Sequence, residues 1–290
     1  MGMRKLLLIV TILFSLYSSG QSPMFKLIAK KASSCSYLLD QYSGAAAAYS
    51  LRLLDCDYAG ALIRVRRSSD NTEQDFYPIG SGDVNLDTAA LKTFVGTGGS
   101  DDGFVVTWYD QSGNANNSTQ STTTAQARVM DNGVVQRLNG KPSLYFDGGD
   151  QYNMGLYPAS RVDMYIPQST SDNLYIHLGG ITYPFSFVIQ EGSSSTTLYN
   201  QIGTPVLYAN NTAFSGTTRD DVYNFLNGSK IVTMEQLDVS NATYWSTGVV
   251  FSGYSWTFSG YVPEIISWTS DQSANRSGIV SNINSYYSIY

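Results

Sequence analysis

Few residues in this chain have side chains suited to catalysis. Histidine occurs once, at His177, and glutamate occurs at four positions: Glu73, Glu191, Glu235 and Glu264. Neither a Gly-x-Ser-x-Gly motif nor a histidine-rich metal spacing accompanies His177, so a structural role is the preferred interpretation. Paired carboxylates across a cleft, as glycoside hydrolysis requires, are the remaining route to an enzyme.

One run of aromatic and polar residues is the candidate ligand site. Aromatic rings stack on the apolar face of a sugar, while Asp, Asn and Gln side chains bind its hydroxyl groups. The run ends a predicted strand and enters a turn, and its predicted ligand-binding residues are Trp108, Tyr109, Asp110, Gln111 and Asn114. In the alternative interpretation, Trp108 belongs to the core and Asp110 only fixes the turn.

No cofactor is predicted, with calcium as the alternative. Acidic residues cluster at Asp101-Asp102 and at Asp147 with Asp150. Hard cations prefer several oxygen ligands from one loop, but solvated turn residues are the preferred interpretation of both clusters.

Composition favours a strand-rich protein that binds no nucleic acid. Charged residues make up 14% of the chain, which also holds 22 tyrosines and 26 glycines. The net charge is −6, from 17 basic and 23 acidic residues, and this balance gives no broad positive surface. Strands and polar loops are therefore expected to dominate.

The N-terminus has the pattern of an export signal. A basic start, residues 1–5, precedes an apolar run, 6–16, and small polar residues, 18–20. We predict a signal peptide at 1–20, a lead-in segment at 21–48 and a β-sandwich domain at 49–290. The apolar run is too short to span a membrane, so a secreted or cell-surface protein is expected. Cys35 and Cys56 could pair after export or stay as thiols.

Periodicity predicts the elements that must position these residues. Alternation predicts a strand at 61–66, with Ile63 and Val65 on one face, and a second strand at 104–109. Asp87 is suited to cap a short helix at 88–95. Further strands are predicted at 143–146, 185–190 and 198–202.

The second half continues the pattern. Asn227-Gly228 predicts a hairpin between strands at 222–226 and 229–233. A last strand at 261–268 leads to a closing helix, in which Ile279, Ile283 and Tyr287 recur every four residues. Consecutive strands with two short helices predict an all-β fold, a two-sheet antiparallel jelly-roll sandwich.

Several motifs resemble known families. The stretches 49–52, 58–60 and 63–70, together with Tyr109-Asp110-Gln111-Ser112-Gly113, resemble the opening half of the α-L-arabinofuranosidase B catalytic domain. The stretches 144–148, 260–265 and 270–273 resemble laminin-G-like, concanavalin-type modules. Both families imply a two-sheet jelly roll, and similar front halves occur in bacterial surface proteins and bacteriophage structural proteins.

The enzyme resemblance implies a catalytic Glu in mid-domain and an Asp in the final third. The stretches that fall over those positions, 206–211 and 248–254, carry no carboxylate. Glu191 and Asp238 are the nearest alternatives. No catalytic residue is therefore predicted. The leading hypothesis is a non-catalytic jelly-roll module of an exported surface protein or a phage particle, which binds a glycan, a surface polysaccharide or a partner protein.

Two alternatives stay open. The first is an α-L-arabinofuranosidase-like glycoside hydrolase, which two opposed carboxyl groups in a cleft would favour. The second is a structural virion or surface protein in which the sandwich mediates assembly, which a large exposed apolar patch would favour.

Overall fold

The structure is a computed structural model. It describes residues 36–79, 85–154, 161–170, 176–179, 184–187, 192–200, 203–240, 244–248 and 258–290. The predicted signal peptide lies outside these ranges, and the predicted start of the sandwich at residue 49 falls inside a strand, Ala45–Ser50. This strand therefore crosses the predicted boundary between lead-in segment and sandwich.

Antiparallel strands joined by turns make up most of the described chain, with four α-helices and a single 3₁₀ turn at Thr123–Ala125. The helices are α1 Leu38–Gln41, α2 Thr88–Val95, α3 Arg219–Leu226 and α4 Arg276–Tyr287. The first strands are β1 Ala45–Ser50, β2 Ile63–Arg67, β3 Glu73–Phe76, β4 Gly103–Trp108, β5 Ser118–Thr119, β6 Arg128–Asp131, β7 Val134–Val135, β8 Arg137–Leu138, β9 Lys141–Pro142, β10 Leu144–Asp147 and β11 Gln151–Met154. The remaining strands are β12 Arg161–Thr170, β13 Ile176–Gly179, β14 Pro184–Phe187, β15 Tyr199–Asn200, β16 Val206–Ala209, β17 Thr212–Ala213, β18 Gly228–Asp238, β19 Tyr244–Gly248, β20 Ser259–Val262 and β21 Glu264–Trp268.

The described strands fall into one large sheet, a five-stranded sheet and a separate hairpin, β8–β9. The large sheet runs in the order β17-β16-β18-β12-β20-β10-β6-β4-β2-β3, and β1 joins it through β21. The second sheet runs β11-β19-β13-β14-β15. The long strands β12 and β18 pair from Thr170 with Gly228 to Arg161 with Asp238, and they form the axis of the large sheet.

Gly260 allows β20 to approach β12. It pairs with Thr170, and a Cβ at Gly260 would lie 2.4 Å from the carbonyl oxygen of Ser169. Only glycine fits there without displacing the backbone of the neighbouring strand.

The large sheet is buried on two sides. On one face, buried side chains such as Val65, Trp108 and Val232 form a core that includes Tyr152 of the second sheet. On the other face, helix α4 packs Ile279 and Ile283 against the large sheet. Burial on both sides fixes the position of β12, β18 and β21.

Most predicted elements are confirmed within a residue or two. Strand β2 buries Ile63 and Val65, as alternation predicted. Helix α2 begins after Asp87, whose carboxylate accepts hydrogen bonds from the backbone of Ala89 and Ala90. The closing helix buries Ile279, Ile283 and Tyr287. The all-β antiparallel class is therefore confirmed.

The hairpin predicted at 222–233 is wrong. Residues 219–226 form helix α3, and a single strand, β18, begins at Gly228. The Thr218 hydroxyl accepts a hydrogen bond from the backbone N–H of Asp221, and the Asp221 carboxylate accepts one from the backbone N–H of Thr218. This capping box starts a helix where the Asn-Gly pair had predicted the first strand of a hairpin.

Two further predictions concern covalent and membrane features. Cys56 is disulfide-bonded, and the only other cysteine in the sequence, Cys35, lies outside the described residues. In the part of the chain that the structure describes, no helix is long and apolar enough to cross a membrane.

Candidate functional site

The predicted ligand-binding run lies where β4 meets the loop that follows it. Trp108 is 0% exposed, and its ring packs 5.8 Å from the ring of Tyr49. A ring enclosed in this way has no face for a sugar. Trp108 is therefore a core residue, which is the alternative that its sequence context left open.

Asp110 and Gln111 fasten this loop to the first strand. The Asp110 carboxylate accepts hydrogen bonds from the backbone of Ala48 at 2.8 Å and of Asn116 at 2.9 Å. The Gln111 amide donates to the carbonyl oxygen of Arg52 at 2.9 Å. Both side chains are buried, so Asp110 fixes the turn, as its alternative interpretation proposed, and Gln111, predicted as a ligand residue, also holds the loop.

Tyr109 and Asn114 lie nearer to the solvent. The Tyr109 hydroxyl donates to the carboxylate of Asp75 at 2.8 Å, and the exposed Asn114 donates to the carbonyl oxygens of Ala45 and Ala46. Burial, followed by the contact with Asp75, raises the pKa of Tyr109 to about 12. Ligand binding stays a prediction for these two residues.

The described glutamates have three different environments. Glu73 is exposed on β3. Glu264 is 0% exposed and pairs with Arg52, with Nε to Oε2 at 2.8 Å. Glu235 is buried on β18, next to Gln236, which lines a small cavity. Glu191 lies outside the described residues. Of the described glutamates, Glu235 is the one best placed for chemistry.

The cavity has a volume of about 100 Å³ and is lined by Asp163, Gln236, Thr269, Ser270 and Asp271. It lies where β12, β18 and the end of β21 meet. Pockets that bind drug-sized ligands measure roughly 300–1,000 Å³, so this cavity is small by comparison. The polar lining can hydrogen-bond hydroxyl groups.

Each acidic residue at this cavity has a defined partner. Glu235 accepts from Arg276 Nη1 at 2.9 and 2.7 Å, one bond to each carboxylate oxygen. Asp163 accepts from the backbone of Gln236 at 2.8 Å and of Gln272 at 2.7 Å, which holds both walls of the cavity. Asp271 is exposed and accepts from the backbone of Ser273. We name Asp163, Glu235, Asp271 and Arg276 the acidic site.

Electrostatics distinguish Glu235 within the acidic site. Burial raises the pKa of the Glu235 carboxyl above its usual value, the nearby carboxylates of Asp163 and Asp271 raise it further, and Arg276 opposes them. A carboxyl with a raised pKa beside an exposed carboxylate has the properties of a proton donor beside a base.

A second carboxyl pair, Asp147 and Asp150, lacks the spacing for sugar chemistry. Burial raises the pKa of Asp150 to about 6. Hydrogen bonds from Arg128 and Gly149 outweigh burial and hold the pKa of Asp147 below its usual value. The two carboxyl groups are in hydrogen-bonding contact. Retaining and inverting glycosidases separate their carboxyl groups by about 5 Å or more, so a sugar does not fit between these two.

In the first of the two acidic clusters, both aspartates accept hydrogen bonds from loop backbone, as the preferred turn interpretation expects. Asp101 accepts from the backbone of Gly98, and Asp102 accepts from the backbone of Asn132. Among the described residues, no group of three or more His, Cys, Asp or Glu side chains is arranged to hold a metal ion.

Residues 206–211, which the family resemblance aligns with a catalytic Glu, form a strand and a turn. Within this stretch, β16 pairs with β18, and Val206 lies directly opposite Glu235. The stretch 206–211 lacks a carboxylate, but the adjacent strand supplies one. Most of the other stretch, 248–254, lies outside the described residues.

Sequence reasoning missed the acidic site because its members are far apart in the chain. Asp163 and Glu235 come together only through the pairing of β12 with β18. One signal was available, since Glu235 directly follows the apolar run of β18, Ile231 to Met234. A charged residue inside such a strand needs a buried partner.

An all-β sandwich with carboxyl groups beside a polar cavity is an arrangement that glycoside hydrolases use. The family model described as "Alpha-L-arabinofuranosidase B, catalytic" matches residues 37–158. This confirms the resemblance drawn from the sequence and extends it across the first eleven strands. No curated protein matches the sequence.

Solved structures of arabinofuranosidases share the fold. One, an arabinofuranosidase complexed with arabinofuranosyl-α-1,2-xylobiose, superposes with a TM-score of 0.53 at 16% identity. Another, a GH54 α-L-arabinofuranosidase soaked with a cyclic sulfate inhibitor, gives 0.50 at 17% identity. Each match covers 82% of this chain and 62% of the other, so the chain spans less than two thirds of those proteins.

These comparisons correct the leading functional hypothesis. A non-catalytic binding module was predicted because two stretches lacked carboxylates, but the matching family model describes a catalytic domain. The structures that share the fold are also of arabinofuranosidases. The hypothesis of a non-catalytic module is therefore wrong, and the comparisons favour the enzyme alternative. The comparisons give no support to a virion role.

Proposed function

We propose that this protein is a glycoside hydrolase that removes α-L-arabinofuranosyl units from a glycan. The observation that carries the proposal is the match of the catalytic-domain family model to residues 37–158. The sandwich fold shared with arabinofuranosidases over 82% of the chain supports it.

The acidic site supplies the groups that the reaction needs. Glu235 is the proton donor to the leaving oxygen in this proposal, because burial raises the pKa of its carboxyl above the usual value. Asp271, exposed at the cavity, acts as nucleophile or as the base that activates water. Asp163 is a positioning residue, since its contacts to Gln236 and Gln272 hold the cavity walls.

Hydrolysis of 4-nitrophenyl α-L-arabinofuranoside tests the roles of the two carboxyl groups. Glu235→Gln is expected to lower kcat by about 10²-fold or more, since general acid catalysis contributes about that much. Glu73→Gln makes the same chemical change on an exposed strand and is expected to leave kcat unchanged. Melting temperatures of both variants separate lost catalysis from lost folding.

Azide gives a second readout for Asp271. In Asp271→Ala, added azide is expected to restore turnover, because the small anion replaces a missing nucleophile or base. Wild-type protein without turnover on aryl and natural arabinofuranosides would overturn the proposal. Full activity in both Glu235→Gln and Asp271→Ala would show that other carboxylates catalyse the reaction.

The pH profile tests the proton donor separately. The raised pKa of Glu235 predicts that kcat/KM falls as the pH rises through a value above the ordinary one for glutamate. Arg276 holds that pKa down, so Arg276→Met is expected to shift the falling limb to higher pH. An unchanged limb would assign the proton donor to another group.

An extracellular arabinofuranosidase also fits the predicted topology and the predicted export signal. We infer a jelly-roll topology for the two sheets and secretion after removal of residues 1–20, which suits an enzyme acting on an extracellular glycan. Sequencing the mature N-terminus tests secretion, because a retained Met1 contradicts signal cleavage.

A further inference from the structure

A group of tyrosines lies on the large sheet, away from the acidic site. Its members come from β2, β3, β4 and the segments beside them, and we name Tyr58, Arg64, Asp75, Tyr77 and Tyr109 the tyrosine surface. In the large sheet, β20, β10 and β6 separate β12 from β4. The tyrosine surface and the acidic site have no residue in common.

Strand pairing places these side chains on one face. Arg64 and Asp75 lie opposite each other on β2 and β3. Phe76, next to Asp75, is 2% exposed, whereas Tyr77 is 50% exposed. Because successive side chains alternate, Asp75 and Tyr77 share the outer face.

Asp75 joins the members of the surface. Arg64 binds it through Nε at 2.8 Å and Nη2 at 2.9 Å, and the Tyr109 hydroxyl donates to the same carboxylate at 2.8 Å. The ring of Tyr109 is therefore held across β2 toward β3. A ring fixed in the unbound protein loses little conformational entropy when a ligand binds.

Gly60 makes room for the third tyrosine. The Tyr58 hydroxyl donates to the carbonyl oxygen of Ala61 at 2.6 Å, and a Cβ at Gly60 would lie 2.5 Å from that hydroxyl. Any larger residue at position 60 would push the Tyr58 ring out of place.

The surface has the chemistry of a neutral ligand's binding face. Tyrosines give flat apolar faces with polar edges, and such residues are enriched where proteins bind. The charges of Arg64 and Asp75 compensate each other, while the whole chain carries −6. The tyrosine surface therefore favours neither an anionic nor a cationic ligand. It favours neutral sugar rings with hydroxyl groups.

We propose that the tyrosine surface binds a neutral polysaccharide chain, separately from the acidic site. Binding there would hold the protein on a polymeric substrate while side branches reach the cavity. The inference concerns affinity for polymer and does not depend on hydrolysis, so either proposal can fail alone.

Affinity gel electrophoresis in soluble arabinoxylan tests the proposal. Tyr77→Ala with Tyr109→Ala is expected to weaken retardation, raising Kd about tenfold or more, the size of a binding hot spot. Tyr145→Ala is the matched control, since Tyr145 is a half-buried tyrosine on the same sheet that packs against Tyr261. Tyr77→Ala alone lies outside the predicted ligand-binding run and is expected to leave turnover of the aryl arabinofuranoside unchanged.

A further variant and a melting temperature distinguish the loss of ring stacking from damage to the fold. Tyr109→Phe keeps the ring and removes only the hydroxyl, so it is expected to retain most polymer binding. Debranched xylan and arabinan replace arabinoxylan to identify the sugar class. Retardation equal in wild type and the double variant, or absent on all three polymers, would overturn the proposal. A melting temperature near wild type in the double variant confirms that lost retardation is lost binding.

Discussion

Two arginine–glutamate pairs have their glutamates on β18 and β21, the strands on either side of β12, and their surroundings differ. Glu264 accepts from Arg52 at 2.8 and 3.0 Å, from Ser50 at 2.8 Å and from the Tyr287 hydroxyl at 3.3 Å. Its side chain is 0% exposed, and the Arg52 guanidinium also lies over the rings of Tyr286 and Tyr287.

The pair at the acidic site, Arg276 with Glu235, is also an arginine–glutamate ion pair, but its arginine is more exposed to solvent. Arg276 binds both oxygens of Glu235, and its guanidinium lies 3.8 Å from the centre of the Tyr208 ring. The Arg276 side chain is 23% exposed, against 8% for Arg52. The Arg52–Glu264 pair is buried and fully hydrogen-bonded, which suits a structural role. In the Arg276–Glu235 pair the arginine is partly exposed, and the glutamate lies next to a residue that lines the cavity.

Removing Arg52 is expected to have the largest effect on stability. Arg52→Met leaves Glu264 charged and unpaired inside the protein, which costs about 3–5 kcal/mol of unfolding free energy. Urea unfolding followed by tyrosine and tryptophan fluorescence measures the loss. Arg52→Met with Glu264→Leu is expected to recover much of it, because an apolar pair needs no counter-charge. No recovery in the double variant would show that packing, not charge, causes the loss.

Removing Arg276 is expected to have a smaller effect that depends on pH. Arg276→Met takes the counter-charge from Glu235, at about 2 kcal/mol near neutral pH, as for a hydrogen bond to a charged group. The pKa of Glu235 is raised in the folded protein, so its ionisation destabilises the fold as the pH rises. The loss is therefore expected to be small at pH 4 and to grow toward pH 7. Equal losses at both pH values would exclude the electrostatic explanation.

Local patterns predicted the fold well where they matched tertiary packing. Asp87 before an apolar helical stripe predicted α2, and the spacing of Ile279, Ile283 and Tyr287 predicted α4. The Asn227-Gly228 pair failed because Thr218 and Asp221 form a capping box upstream. The sequence contains both the capping box and the Asn-Gly pair, and in the structure the capping box starts a helix.

The candidate site was less predictable for a physical reason. Asp110 and Gln111 looked like ligand residues because polar side chains near aromatics bind sugars, yet their hydrogen bonds go to the backbone. Asp163 and Glu235 gave little sequence signal, because β12 and β18 bring them together from different parts of the chain. Residue type predicts chemistry only when the partners of each polar atom are known.

An exposed pair completes the comparison and is expected to have the smallest effect. Arg67 binds both carboxylate oxygens of Asp70, at 2.7 and 2.6 Å, with Arg67 32% and Asp70 45% exposed. Asp70→Asn removes the charge but keeps an oxygen that can accept from the backbone of Thr72. Solvent weakens such pairs, so the melting temperature is expected to match wild type within error, in low salt and in high salt. A clear loss in low salt alone would mean that the arginines of this sheet act as one charge network, and that exposure alone does not rank the three pairs.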